Sequence, residues 1–141
     1  MKIGLVLSGG MAKGAYQIGA LRALNNFVPL NEIKYMSCAS IGVLNGYAYA
    51  AGNLNCAEKM WKNICNSDTR LVISQILRSS MLQQNITTLY DPEKSLSASF
   101  YCSLLDLSHR NIVYKDLSTV DNNQIPLYLK ASVAMPVYNR S

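Results

Sequence analysis

The chain has 141 residues, 50% of them hydrophobic and 15% charged, with a formal net charge of +5. That length and low charge suit one domain with a packed core and argue against extended disorder. The Lys and Arg residues are scattered rather than clustered, which argues against a nucleic-acid partner and leaves only a weak attraction to an anionic membrane surface.

In chain order, Ile3 to Leu7 is a short apolar run ending in Ser8-Gly9-Gly10, the pattern of a buried strand. From Ala15 to Phe27, Ile18, Leu21, Leu24 and then Val28 recur at helical spacing. Ile33 to Ala39 reads as a second strand. Ile41 to Ala51 reads as a helix with Ile41, Leu44, Ala48 and Ala51 on one face, ended by Gly52-Asn53. Ala57, Met60, Trp61 and Ile64 mark an amphipathic helix whose stripe fits a core better than a lipid groove. Leu71 to Leu82 is expected to be helical. Asp91-Pro92-Glu93 is expected to start a further helix, with Asp91 as its cap and Leu96, Phe100, Leu104 and Leu107 along its apolar face. Ile112 to Tyr114 resembles a strand, Asp121-Asn122-Asn123 a turn, and Tyr128 to Ala134 a helix closed by Pro136.

Strand, helix, strand, helix at the start predicts an α/β domain with a parallel sheet. Such sheets carry their sites at the carboxyl ends of the strands. The two most unusual loops, Ser8 to Gly14 and Cys38 to Gly42, both fall at such ends.

Residues 38–42 read Cys38-Ala39-Ser40-Ile41-Gly42. A strand that turns sharply into a helix exposes the middle residue at a helix N-terminus, where backbone N–H groups favour negative charge. A serine there can attack a carbonyl once a base takes its proton. The tight turn demands small residues two before and two after the serine. Gly42 meets the second demand, and Cys38 occupies the first. An N-cap serine would give the same local pattern. In the other loop, Gly9-Gly10 followed by Met11-Ala12-Lys13-Gly14 can aim N–H groups at one spot. Lys13 stands near a helix start, where a cation is disfavoured, and Gly14 weakens the first turn. The spacing fits neither a P-loop nor a dinucleotide fingerprint. It fits an oxyanion hole built from the amides of about Gly10 and Met11.

The two loops in this order resemble the patatin-like phospholipase family, whose pattern is a first strand, a loop GGGx(K/R)G, a helix, a strand and GxSxG. The flanks Gly14-Ala15-Tyr16-Gln17-Ile18-Gly19-Ala20-Leu21 and Gly42-Val43-Leu44-Asn45-Gly46 are similar too, as is Ala131-Ser132-Val133-Ala134-Met135-Pro136. The resemblance implies a three-layer α/β fold with a mainly parallel central sheet flanked by helices. Residues 1–141 would form one patatin-like domain, incomplete at its C-terminus. It further implies hydrolysis of phospholipid or other acyl-ester lipids by a Ser–Asp dyad, with no metal and no cofactor. Ser40 would attack, the amides of Gly10 and Met11 would hold the oxyanion, and Lys13 would steady its loop. Met11 and Cys38 stand where the pattern has glycine and are expected to add bulk beside the reacting atoms. No Asp-Gly pair follows Pro136, so weak or absent turnover is expected of these 141 residues.

Other assignments compete. A Ser-Asp-His triad would draw on His109, the single histidine, with Asp68, Asp91 or Asp106. Asp116 and Asp121 are further candidates for the base, Asp116 the better of the two because it ends a strand. A catalytically inactive patatin-like chain that binds lipid or a protein partner is the alternative function. The cysteines, Cys38, Cys56, Cys65 and Cys102, match no zinc spacing. No secretory leader or apolar run of the ~18–20 residues of a membrane span is evident. A cytoplasmic, thiol-reducing setting, with peripheral contact at membranes, is therefore expected.

Overall fold

The computed structural model describes residues 2–65 and 79–134, with side chains from 83 onward in the second stretch. The first strand, β1 (Ile3–Leu7), leads through a 3-10 turn (Met11–Lys13) into α1 (Gly14–Asn25). β2 (Ile33–Cys38) leads into α2 (Ile41–Ala50) and α3 (Leu54–Cys65). The second stretch holds α4 (Ser79–Leu89), β3 (Ser99–Asp106), β4 (Asn111–Asp116) and α5 (Ile125–Val133). The helix expected over Leu71–Leu82 lies mostly outside the described residues, and only Ser79–Leu82 is seen, opening α4. Asp68, Met135 and Pro136 also lie outside them.

The sheet runs β1-β2-β3-β4. The first three strands are parallel and β4 returns antiparallel as a hairpin with β3. The expected α/β fold with a mainly parallel central sheet is thus met. The helices that follow β1 and β2 gather around α2 on one face of the sheet. α2 packs on β1, β2 and β3, α5 packs on β3 and on α2, and α1 and α3 stack on α2. α2 is consequently buried at every residue, Ile41 through Ala50, rather than on the single face that the spacing predicts. Gly52, at φ 68°, closes the turn that ends it.

The strands are covered on one face only among the described residues. Leu7, Met36, Cys38, Phe100 and Cys102 point into the core, while Val6, Tyr35, Leu105, Ile112 and Tyr114 are exposed on the other side. β1 is therefore a half-covered strand and not the buried one expected. A second correction concerns residues 91–107. No helix starts at Asp91; its carboxylate accepts from the Glu93 amide at 3.0 Å, closing a local turn. Phe100 and Cys102 then alternate with the exposed Tyr101, as β3 requires. A spacing of four places Leu96, Phe100 and Leu104 on one side of a helix, and equally on one face of a strand. α5 also begins earlier than expected, at Ile125, with Pro126 in its first turn.

Candidate functional site

Ser40 joins β2 to α2, and its backbone sits at φ 51°, ψ −129°. Such angles cost a non-glycine residue about 1–3 kcal/mol. The hydroxyl makes no capping hydrogen bond to the helix it precedes. A cap is thus no account of this serine, and the side chain is half-buried at the carboxyl end of the sheet. The turn is fixed from three sides. The Ala39 amide donates to the Leu7 carbonyl at 2.9 Å, extending the β1–β2 ladder past Cys38. The Gly42 amide donates to the Ala39 carbonyl at 3.0 Å. A Cβ at Gly42 would stand 2.5 Å from the Leu7 carbonyl oxygen, so the first turn of α2 crosses the end of β1 at a distance no larger residue allows.

Cys38 does not crowd Ser40. Its sulfur lies under α2, where a Cβ on Gly46 would be 2.6 Å from it, with Phe100 and Leu7 completing the wall. The bulk expected beside the reacting atoms is taken up in the core. Burial pushes the Cys38 thiol up to about 12, and the neighbouring Cys102 adds to the shift.

The glycine loop meets this turn directly. A Cβ built on Gly9 would lie 3.1 Å from Ser40 Cβ and 3.8 Å from Ser40 Oγ. Gly10 has φ 152°, a conformation L side chains rarely adopt, and Met11 has φ 50°. Met11 therefore holds a left-handed backbone at the position where the resembling pattern carries its third glycine. The Lys13 amide donates to the Gly10 carbonyl at 3.0 Å and closes the turn. Its aliphatic stem lies along Gly10, 3.3 Å from where a Cβ would be. Gly14, read from the sequence as a weak helix residue, is a contact point: a Cβ there would be 2.3 Å from the Trp61 ring and 2.9 Å from Ile41.

Three polar side chains outside the expected site tie these loops together. Asn45, fully buried in α2, donates to the Gly14 carbonyl at 2.9 Å and to Gln17 Oε1 at 3.0 Å. Trp61 Nε1 donates to Asn45 Oδ1 at 2.9 Å, and Gln17 Nε2 donates to the Ser8 carbonyl at 2.7 Å. The available signal was one amide in an otherwise apolar helix, since such a group is buried only with partners.

Asp106, His109 and Asp116 are engaged elsewhere. His109 Nδ1 and Asp106 Oδ2 pair at 2.8 Å on the exposed turn of the β3–β4 hairpin. That bond, with the His109 amide, holds the Asp106 carboxyl below its ordinary value. Asp116 accepts from the Phe100 amide at 3.1 Å and from Ser118 through both amide and hydroxyl. Phe100 stands level with Met36, on the order of 13 Å along the strand from Ser40 at about 3.3 Å per residue. Asp121 precedes a 3-10 turn (Asn122–Gln124). Among the described residues, no carboxylate or imidazole bonds the Ser40 hydroxyl, no three metal-ligating side chains gather, and no helix is long and apolar enough to cross a membrane.

Residues 5–139 match the family model described as patatin-like phospholipase, which covers nearly the whole chain. No curated protein gives a match.

Proposed function

Because the chain belongs to the patatin-like phospholipase family, a family of lipid acyl hydrolases, we propose that it acts on acyl-ester lipids through Ser40. The observation that carries this reading is the contact between the two loops. A strained serine whose hydroxyl caps nothing lies against the backbone of Gly9. Ser40 Oγ would attack the acyl carbonyl and release the alcohol of the lipid, leaving an acyl-serine for water to cleave. The amides of Gly10 and Met11 would receive the oxyanion, supported by the N-terminus of α2. Their unusual φ values, 152° and 50°, are what turn consecutive amides out of a helical or extended line. Gly42 and Cys38 serve the turn itself, Gly42 by close approach to Leu7 and Cys38 by packing under Gly46. Ala39 and Ile41 hold its two ends, one in the sheet ladder and one in the core. Contact with a phospholipid surface follows from the substrate class and from the net charge of +5.

The second reading, a catalytically inactive chain that binds lipid or a protein, is favoured by the exposed apolar residues of the sheet face that the described residues leave uncovered. Fatty-acid release from phospholipid and short-chain ester micelles separates the two. We expect release that is slow and is lost in Ser40→Ala. Equal release by Ser40→Ala would refute the serine mechanism, and none from either protein would support the binding reading.

A further inference from the structure

We propose that Asn45 and Gln17 form a positioning pair that sets the distance between the glycine loop and the Ser40 hydroxyl; this rests on the hydrolase reading above. The loop from Gly9 to Lys13 has few ties of its own. Its backbone is tied by Lys13 N–H to the Gly10 carbonyl and by the Gly14 amide to the Met11 and Ala12 carbonyls, and two of its residues have φ values at 152° and 50°. Both of its ends are nevertheless held by one side-chain chain of hydrogen bonds. Ser8, just before the loop, is held through its carbonyl by Gln17. Gly14, just after it, is held through its carbonyl by Asn45. Asn45 also grips Gln17, so the two anchors are one unit. That unit stands on α2, the helix that Ser40 begins, and Trp61 fixes its remaining oxygen. The amides that would face an oxyanion are thereby referenced to the same helix as the nucleophile.

The chemistry demands an amide at position 45. One Nδ2 group donates to two acceptors while Oδ1 accepts from an indole, and a carboxylate would offer no donor. Gln17 is used at both ends, accepting from Asn45 and donating to Ser8. Neither side chain reaches the reacting atoms in this arrangement, so both act through the loop. Loss of a whole oxyanion donor typically costs about 100- to 1000-fold in rate. A donor displaced rather than removed should cost about tenfold, the equivalent of ~1.4 kcal/mol in the barrier.

The test is the rate at which an alkyl fluorophosphonate labels Ser40. Ser40 Oγ forms a bond to phosphorus, the P–F bond breaks, fluoride leaves, and the hydroxyl proton passes to solvent. Maximal labelling rate and probe affinity are measured separately for wild type, Gln17→Leu and Asn45→Leu. The control is Asn53→Ala, which cuts a different interhelix amide link, Asn53 Nδ2 to the Leu89 carbonyl at 3.2 Å. Amide exchange of residues 9–13 is followed in the same proteins. Both loop variants should label about tenfold slower with affinity within about twofold, and exchange faster at residues 9–13. Asn53→Ala should label at the wild-type rate despite its lower melting temperature. If Asn45→Leu fails to fold, half-buried Gln17 decides. Wild-type labelling by Gln17→Leu, or equal slowing in Asn53→Ala, overturns the proposal. If wild type takes no label, the hydrolase reading falls, and exchange alone decides: unchanged protection of residues 9–13 in Gln17→Leu overturns the pairing, and selective loss upholds it.

Discussion

At Ser40, φ 51° and ψ −129° place a side-chain-bearing residue where glycine is the natural occupant. Replacement by glycine should therefore raise stability, by about 1 kcal/mol, while Ser40→Ala should change it by less than about 0.5 kcal/mol because no cap is lost. Urea unfolding of the two variants checks this, and a loss of about 1 kcal/mol in Ser40→Ala would restore the capping role. Two residues away, the thiol of Cys38 is pushed up to about 12, and that of Cys102, its neighbour across the sheet, to about 11, in both cases chiefly by burial. A raised folded-state value means the native protein prefers the neutral thiol. That contribution is complete below the unfolded thiol value of about 9 and drains away as pH rises toward 12. The urea midpoint should fall from pH 9 upward, and less steeply in Cys38→Ala. Iodoacetamide at neutral pH should modify exposed Cys65 and leave Cys38 and Cys102 untouched.

Among the elements, α2 is the one on which the others are assembled, and glycine contacts set how closely it can lie. Gly46→Ala would push a methyl to 2.6 Å from Cys38 Sγ, 3.1 Å from the Phe100 ring and 3.2 Å from Leu7. It should destabilise by about 1–3 kcal/mol, the usual cost of overpacking. Cys38→Gly removes the nearest of these atoms, so the double variant should lose less than the two single losses summed. Strict additivity in a double-mutant cycle would show that the sulfur does not lie under α2. β1, β2, α1, α2 and α3 were legible in the sequence as short apolar runs or helical spacings set off by glycine or polar turns, although the burial of β1 and α2 was not. β3 was not. Leu96, Phe100 and Leu104 repeat at four, a multiple of the strand period that also lies close to the helical one. Asp91-Pro92, which looks like a helix start, instead closes a turn on the Glu93 amide. The candidate site was legible where backbone chemistry writes itself into composition, at Gly9-Gly10 and around Ser40. The Asn45–Gln17–Trp61 link was not, because pairing between distant residues leaves no local pattern.

At the scale of the whole molecule, the sheet divides the described residues into a packed side and an open one. Phe100 and Met36 are fully buried, whereas Val6 is 77% and Tyr35 is 56% exposed. Phe100→Ala should therefore cost about 3–5 kcal/mol, and Met36→Ala about 2–5. Val6→Thr and Tyr35→Thr should each stay within about 0.5 kcal/mol. Comparable losses on both faces would mean that the open side is covered in solution. The two loops come together at the carboxyl edge of the sheet, where β1 and β2 end level with one another at Leu7 and Cys38. The central claim is that the Ser40 hydroxyl, set against Gly9, is a nucleophile. Mass spectrometry after exposure to an alkyl fluorophosphonate tests it most directly, because it asks for one attack rather than turnover. A single adduct on the peptide carrying Ser40, absent from Ser40→Ala, is the predicted result. An unmodified protein, or an adduct that persists in Ser40→Ala, would contradict it.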